Sequence, residues 1–243
     1  DVNTATGVIS ERTSAGEMVL LNPSGGGIGL MSTTRVVYSA PNFTLNNNIY
    51  NYAFGRAPDG GPMRMGDIIR LAKINSGAGM NKFNFLLLGD PALRLAWPCR
   101  GNVVTDSINH VSVKLAADTL KALSLITISG HVEDNSGNIL TGFNGTVEPV
   151  VRDKISSMST LANDGGNAMT FPVSGNTVFN GRTSVRNGYF TFSFIVPLDI
   201  NYSFGEGRVT YYGWNNEIDM NGNYDDIIVG GFSLLRIIQQ DSI

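Results

Sequence analysis

The chain is poor in the residues that catalysis and metal binding use most, with one cysteine and two histidines among 243 residues. A single thiol, Cys99, excludes an intrachain disulfide and leaves the redox compartment open. Charge is scarce too. Seventeen basic and 20 acidic residues give a net charge of −3, and no Lys/Arg run is present to neutralise a phosphate backbone, so nucleic acid is not an expected partner. Long apolar runs are also missing. No stretch approaches the ~18–20 residues that span a bilayer, and the opening DVNTATGVIS lacks the basic start and apolar run of a signal peptide.

What is present is enough apolar material for a core. The apolar fraction of 42% against 15% charged residues excludes global disorder. The length suits two ordinary domains, since single domains most often hold about 100–150 residues. The pattern changes between residues 97 and 103, which suggests an α/β segment over 1–98 and an all-β domain over 103–243.

In the first segment, TSAGEMVLLNP offers Thr13 or Ser14 as a helix cap, Glu17 in the first turn and Pro23 as a stop. GIGLMS (Gly27 to Ser32) is a nearly continuous apolar run, the pattern of a buried parallel strand. Leu45, Ile49, Tyr52 and Ala53 recur at helical spacing, as do Met65, Ile68, Ile69 and Ala72 before Gly77. KFNFLLLGDP then gives a second strand ending at Gly89 and Pro91. The order is strand, helix, helix, strand.

After Pro98 the helical period disappears, and apolar and polar residues alternate between Gly/Asn turns. Strands are expected over 123–132, 146–152, 178–182, 189–196, 208–214 and 227–238. Six or seven short strands suit an immunoglobulin-like β-sandwich. In YFTFSFIV, Phe190, Phe192 and Phe194 fall on one face and should be core residues.

Residues able to carry chemistry are few. A nucleophilic cysteine needs a base beside it, yet Cys99 sits in the junction AWPCRG, and His110 and His131 both lie in the β-rich half. A linker thiol is the simpler reading. NPSGGG lacks the strand-Ser-helix setting of a serine nucleophile, and the glycine run lacks the Lys-Ser/Thr ending of a phosphate cradle. The clearest ligand-type cluster is IDMNGNYDD, where Asp219, Asn221, Asn223, Asp225 and Asp226 surround Gly222 with oxygen donors. A hard cation such as Ca²⁺ takes six to eight oxygens. The same residues also suit an ordinary acidic turn between strands 208–214 and 227–231.

The heptad GDPALRL (Gly89 to Leu95) resembles the end of the catalytic domain in gingipain-like cysteine peptidases. RTSAGE (Arg12 to Glu17), LLNPSGGGIGLMSTTRVVYS (Leu20 to Ser39) and MGDIIRLAK (Met65 to Lys73) are similar to the PorU-type sortases of the type IX secretion system within that family. In the second half, FNGTVEPVVRDK, NGYFTFSFIVPLDINYSFGEG and DMNGNYDDIIVGG resemble the sandwich that follows.

The resemblance implies a caspase-like α/β fold for the first segment, and a catalytic His that precedes the catalytic Cys. The family Cys ends a T-A-T-C run. Here the run is Thr4, Ala5, Thr6, Gly7, so Gly7 falls at the nucleophile position and the catalytic His would lie upstream of residue 1. No residue of this chain inherits either role, and the chain alone is expected to be inactive. The implied partners are carboxy-terminal signals of secreted proteins or other secretion components, at the outer membrane or cell surface of a Gram-negative bacterium. No cofactor is implied beyond candidate calcium. The alternative function is a surface adhesion module with a calcium-binding sandwich.

Overall fold

The computed structural model describes residues 2–3, 8–9, 14–115, 119–163 and 165–233. The chain divides into two compact units, Asp1–Trp97 and Pro98–Ile243. It is mostly β-sheet with few helices.

The first unit begins with a short antiparallel pair, β1 (Val2–Asn3) and β2 (Val8–Ile9). Helix α1 (Ala15–Leu21) starts where the sequence supplies a complete capping box. The Glu17 amide donates to Ser14 Oγ at 3.3 Å, and the Ser14 amide donates to Glu17 Oε2 at 2.7 Å. Strand β3 (Gly29–Thr33) leads into α2 (Ser39–Ala53) and α3 (Met65–Ile74), and β4 (Phe85–Gly89) returns to pair with β3.

That pairing corrects one expectation. The GIGLMS run enters a strand antiparallel to its partner, half-buried over Gly29–Thr33 and with Ile28 exposed, not a buried parallel strand. The small core gathers Leu45 of α2, Ile69 of α3 and Phe85 of β4. The apolar spacing of α3 is realised as written, with Met65, Ile68, Ile69 and Ala72 all buried.

The GDPALRL heptad brackets the start of α3. The amides of Gly66 and Met65 donate to the carbonyls of Pro91 and Leu93 at 2.9 and 2.8 Å. A side chain at Gly66 would stand 2.9 Å from Pro91 Cβ, so glycine is what permits this approach. Arg94 then forks onto Asp59, at 3.1 and 2.8 Å, and holds the Asp59 carboxyl below its ordinary range.

In the second unit the strands are β5 (Asn102–Ile108), β6 (Val111–Ser112), β7 (Thr119–Ala122), β8 (Leu125–Glu133), β9 (Gly145–Arg152), β10 (Ser156–Ser159), β11 (Thr170–Val173), β12 (Thr177–Asn180), β13 (Thr183–Val185), β14 (Tyr189–Ile195), β15 (Gly205–Glu206), β16 (Arg208–Trp214), β17 (Asp219–Tyr224) and β18 (Ile228–Phe232). The main sheet runs β12-β9-β16-β17-β5-β8-β14, with β13 beside β9 and β6 beside β5. Its pairings are antiparallel except at one point, where β17 meets β5 in parallel at Asn221 and Asn102. Strands β15, β18 and β7 form a smaller sheet, and β10 and β11 form a separate two-stranded arm.

Core residues follow the period of two. Phe190, Phe192 and Phe194 are all buried, each burial contributing about 1.5–3 kcal/mol. Phe179 of β12 stacks on Phe192 and Phe194 with ring centroids 5.5 and 4.6 Å apart, and Phe190 meets Tyr211 of β16 edge-on at 5.6 Å. The β14 row therefore packs against strands from the other half of the sheet.

Asp219–Tyr224 departs from the turn expected there. It forms a strand in the middle of the main sheet, in register with β16 over its whole length. Turn-forming composition loses here because strands on both sides supply backbone partners.

Candidate functional site

Gly7, the position matching the family nucleophile, lies outside the described residues. Cys99 is buried at the start of the second unit, and its backbone carbonyl accepts a 3.1 Å hydrogen bond from Asn135 Nδ2. His110 is exposed in the two-residue connection between β5 and β6. There Asn109 and His110 adopt φ of 50° and 65°, the left-handed pair that a tight hairpin turn requires. Its placement is explained by the turn.

His131 belongs to a cluster that sequence spacing did not reveal. Its Nδ1 lies 2.9 and 2.8 Å from the two oxygens of Asp106, and its Nε2 lies 3.5 Å from Glu133 Oε2. Glu133 also accepts from Asn102 Nδ2 at 3.3 Å. Asp106 reaches the ring because it is the extra residue of a bulge, where the register of β5 against β8 shifts between Thr105 and Ser107. Nδ1 is hydrogen-bonded to Asp106, and Nε2 stands at ion-pair distance from Glu133. The neighbouring hydroxyls are paired with each other, Ser129 with Thr191 at 3.0 Å and Thr127 with Ser193 at 2.8 Å. The cluster ties β5 to β8.

The oxygen-rich segment is spread along β17. Asp219, Asn221 and Asn223 share one face of the strand, at steps of about 6.7 Å per two residues. Asp219 Oδ2 accepts from Tyr212 Oη at 3.4 Å, Asn221 Nδ2 donates to the Pro98 carbonyl at 2.8 Å, and Asn223 Nδ2 donates to Asp225 Oδ2 at 2.9 Å. Asp225 is also forked by Arg208 at 2.6 and 3.3 Å, and Asp226 is exposed at the end of the strand. The structure brings Asn223 and Asp225 together and keeps Asp219 and Asn221 on other partners. Among the described residues no group of three or more His, Cys, Asp or Glu side chains is placed to hold a metal ion.

A cleft of about 570 Å³ opens where β9 ends and β16 begins. Arg152 and Arg208 stand directly opposite each other across that pair. On the wall, Lys154 Nζ is 2.7 Å from Asp153 Oδ1 and donates to the Asn201 carbonyl at 2.7 Å. Burial pushes the Asp153 carboxyl up. The Lys154 ammonium and the amides of Lys154 and Asn201 together outweigh that and hold it below the ordinary aspartate range. Ile155, Pro172 and Val173 supply an apolar side. These residues come from segments tens of positions apart, so no local motif could have announced the cleft.

Residues 4–96 match the model of peptidase family C25. No curated protein matches the chain. Among solved structures it is similar to dimeric latent PorU from Porphyromonas gingivalis, with 29% identity and a TM-score of 0.55 over 88% of this chain and 21% of that one. The chain thus spans about a fifth of that relative's length. Alignments to the sporulation control protein Spo0M from Bacillus subtilis (18% identity, 54% of this chain and 50% of that one) and to the Arg-specific cysteine proteinase gingipain R (13%, 84% and 38%) have TM-scores of 0.30 and 0.28, too low to carry a structural argument.

Proposed function

Because this chain is related to the gingipain-like, PorU-related cysteine peptidases, we propose that it is the carboxy-terminal part of such an enzyme. Residues 1–98 complete a caspase-like α/β catalytic domain, and 103–243 form the immunoglobulin-like sandwich that follows. The observation that carries this is the PorU match, which extends over 88% of the chain and therefore reaches both units.

The exposed surface of the first unit gives further support. Among the described residues, β3 and β4 pair only with each other. Large apolar side chains including Val36, Tyr38, Phe43 and Met80 stand exposed. Such a surface suits a layer made to pack against further elements.

The whole enzyme would process carboxy-terminal signals of proteins exported by the type IX system, outside the cytoplasm at the outer membrane or cell surface. No helix among the described residues is long and apolar enough to cross a membrane, which says nothing of β-barrels. The part described here would serve as scaffold and substrate wall without turnover of its own. Incubating the chain with Arg/Lys and sorting-signal peptides should give no cleavage. Cleavage by the pure chain would defeat the non-catalytic reading, most directly if Cys99→Ala abolished it, and loss of signal processing when this segment is deleted from the whole enzyme would uphold the scaffold role.

A further inference from the structure

The cleft between β9, β11 and β15 contains a charge that the protein itself leaves unanswered. Arg152 and Arg208 are in register on neighbouring strands, and like charges directly opposite each other destabilise a sheet. Arg208 is neutralised, since its Nε and one terminal nitrogen are held by Asp225. Lys154 is neutralised by Asp153 and lies flat along the wall; a side chain at Gly205 would meet its Cδ at 2.7 Å. Arg152 has only the Thr177 hydroxyl, at 3.5 Å, and among the described residues no carboxylate lies within ion-pair distance of it.

A guanidinium with a vacant fork, facing a cleft with an apolar side, is the arrangement that recognises a carboxylate with an apolar body. We propose that this cleft binds such a ligand, its carboxylate bidentate on Arg152 and its apolar part along Ile155, Pro172 and Val173. Arg208 adds a favourable positive potential, with Nε and one terminal nitrogen already engaged by Asp225 and only the other terminal nitrogen uncommitted. Glu206, exposed in the cleft lining and without an ion-pair partner among the described residues, opposes the ligand's charge and limits affinity. This reading goes beyond the peptidase relationship and does not depend on it.

The test is a titration of the whole chain, followed by NMR, with N-acetyl-leucine, its carboxamide and inorganic phosphate. A short peptide ending in leucine, with a free or amidated carboxy terminus, tells a free acid from a chain end. The free acid should bind in the millimolar range, and the amide and phosphate at least about 10-fold more weakly, since a charge-assisted bidentate pair is lost or the apolar body is missing. Arg152→Ala should lose binding about 10-fold or more while leaving the melting temperature level or higher, because a like-charge pair is removed. Arg152→Lys should restore little, for lack of a fork, and Glu206→Gln should tighten binding. No saturable shift with the acid, equal binding of amide or phosphate, or undiminished binding by folded Arg152→Ala would overturn the proposal.

Discussion

Tyr211 Oη and Thr105 Oγ1 lie 2.6 Å apart inside the core of the second unit, both side chains buried, although β17 separates their strands. Gly222 of β17 stands opposite Tyr211 in register and, having no side chain, leaves that path open. Removing one hydroxyl strands the other without water. Tyr211→Phe and Thr105→Val should each cost about 1–3 kcal/mol, and the double variant clearly less than their sum. Urea denaturation of the four proteins checks this; strict additivity would mean that the hydroxyls do not support each other. Burial also raises the Tyr211 hydroxyl above the ordinary tyrosine range. Its contribution is complete below the unfolded value near pH ~10 and declines above it, a decline Tyr211→Phe should lose.

The same crossing makes Gly222 intolerant of substitution. A Cβ there would stand 1.9 Å from the Val103 carbonyl oxygen, a backbone atom that cannot move without displacing β5. Gly222→Ala should therefore destabilise the unit on the order of 3 kcal/mol. Gly142 provides the control, since a Cβ at that position would have no neighbour within 4 Å, and Gly142→Ala should stay within about 0.5 kcal/mol of the parent. A mild effect of Gly222→Ala would mean that β17 and β5 can separate cheaply at their one parallel contact.

How much of this was legible in the sequence depended on range. Local signals were realised where neighbours agreed with them: Ser14 and Glu17 form the cap their spacing announces, α3 buries the predicted face, and the Phe190 row enters the core. Asp219 to Tyr224 has turn composition and became a central strand, because β16 and β5 compete for its backbone and that competition is invisible locally. The pairing of Asp106 with His131 needed a bulge, and the facing of Arg152 and Arg208 needed a register. Neither is encoded at short range.

Acid should weaken the second unit through Asp153. Its carboxyl is held below the ordinary range in the fold, so its stabilising contribution is present above the unfolded value of ~3.9 and is lost as pH falls through the folded value. The stability difference between the parent and Asp153→Asn should be constant near neutrality and shrink below about pH 4. Chemical denaturation at a series of pH values reads it directly. A difference that grows on acidification would mean that burial, and not Lys154, dominates the site.

Calcium gives a test that separates the two sequence readings of the oxygen-rich segment. A bound Ca²⁺ needs six to eight oxygens at 2.3–2.6 Å. In β17, Asp219, Asn221 and Asn223 are spaced along an extended backbone, and Asp225 already answers Arg208 and Asn223. Recruiting Asp225 would release Arg208 beside Arg152 and restore the like-charge opposition. The melting temperature should thus be unmoved by millimolar Ca²⁺ or by chelator. A rise with calcium that chelator reverses, and that Asp225→Asn abolishes, would instead establish a metal site at this end of β17 and favour the calcium-dependent surface module.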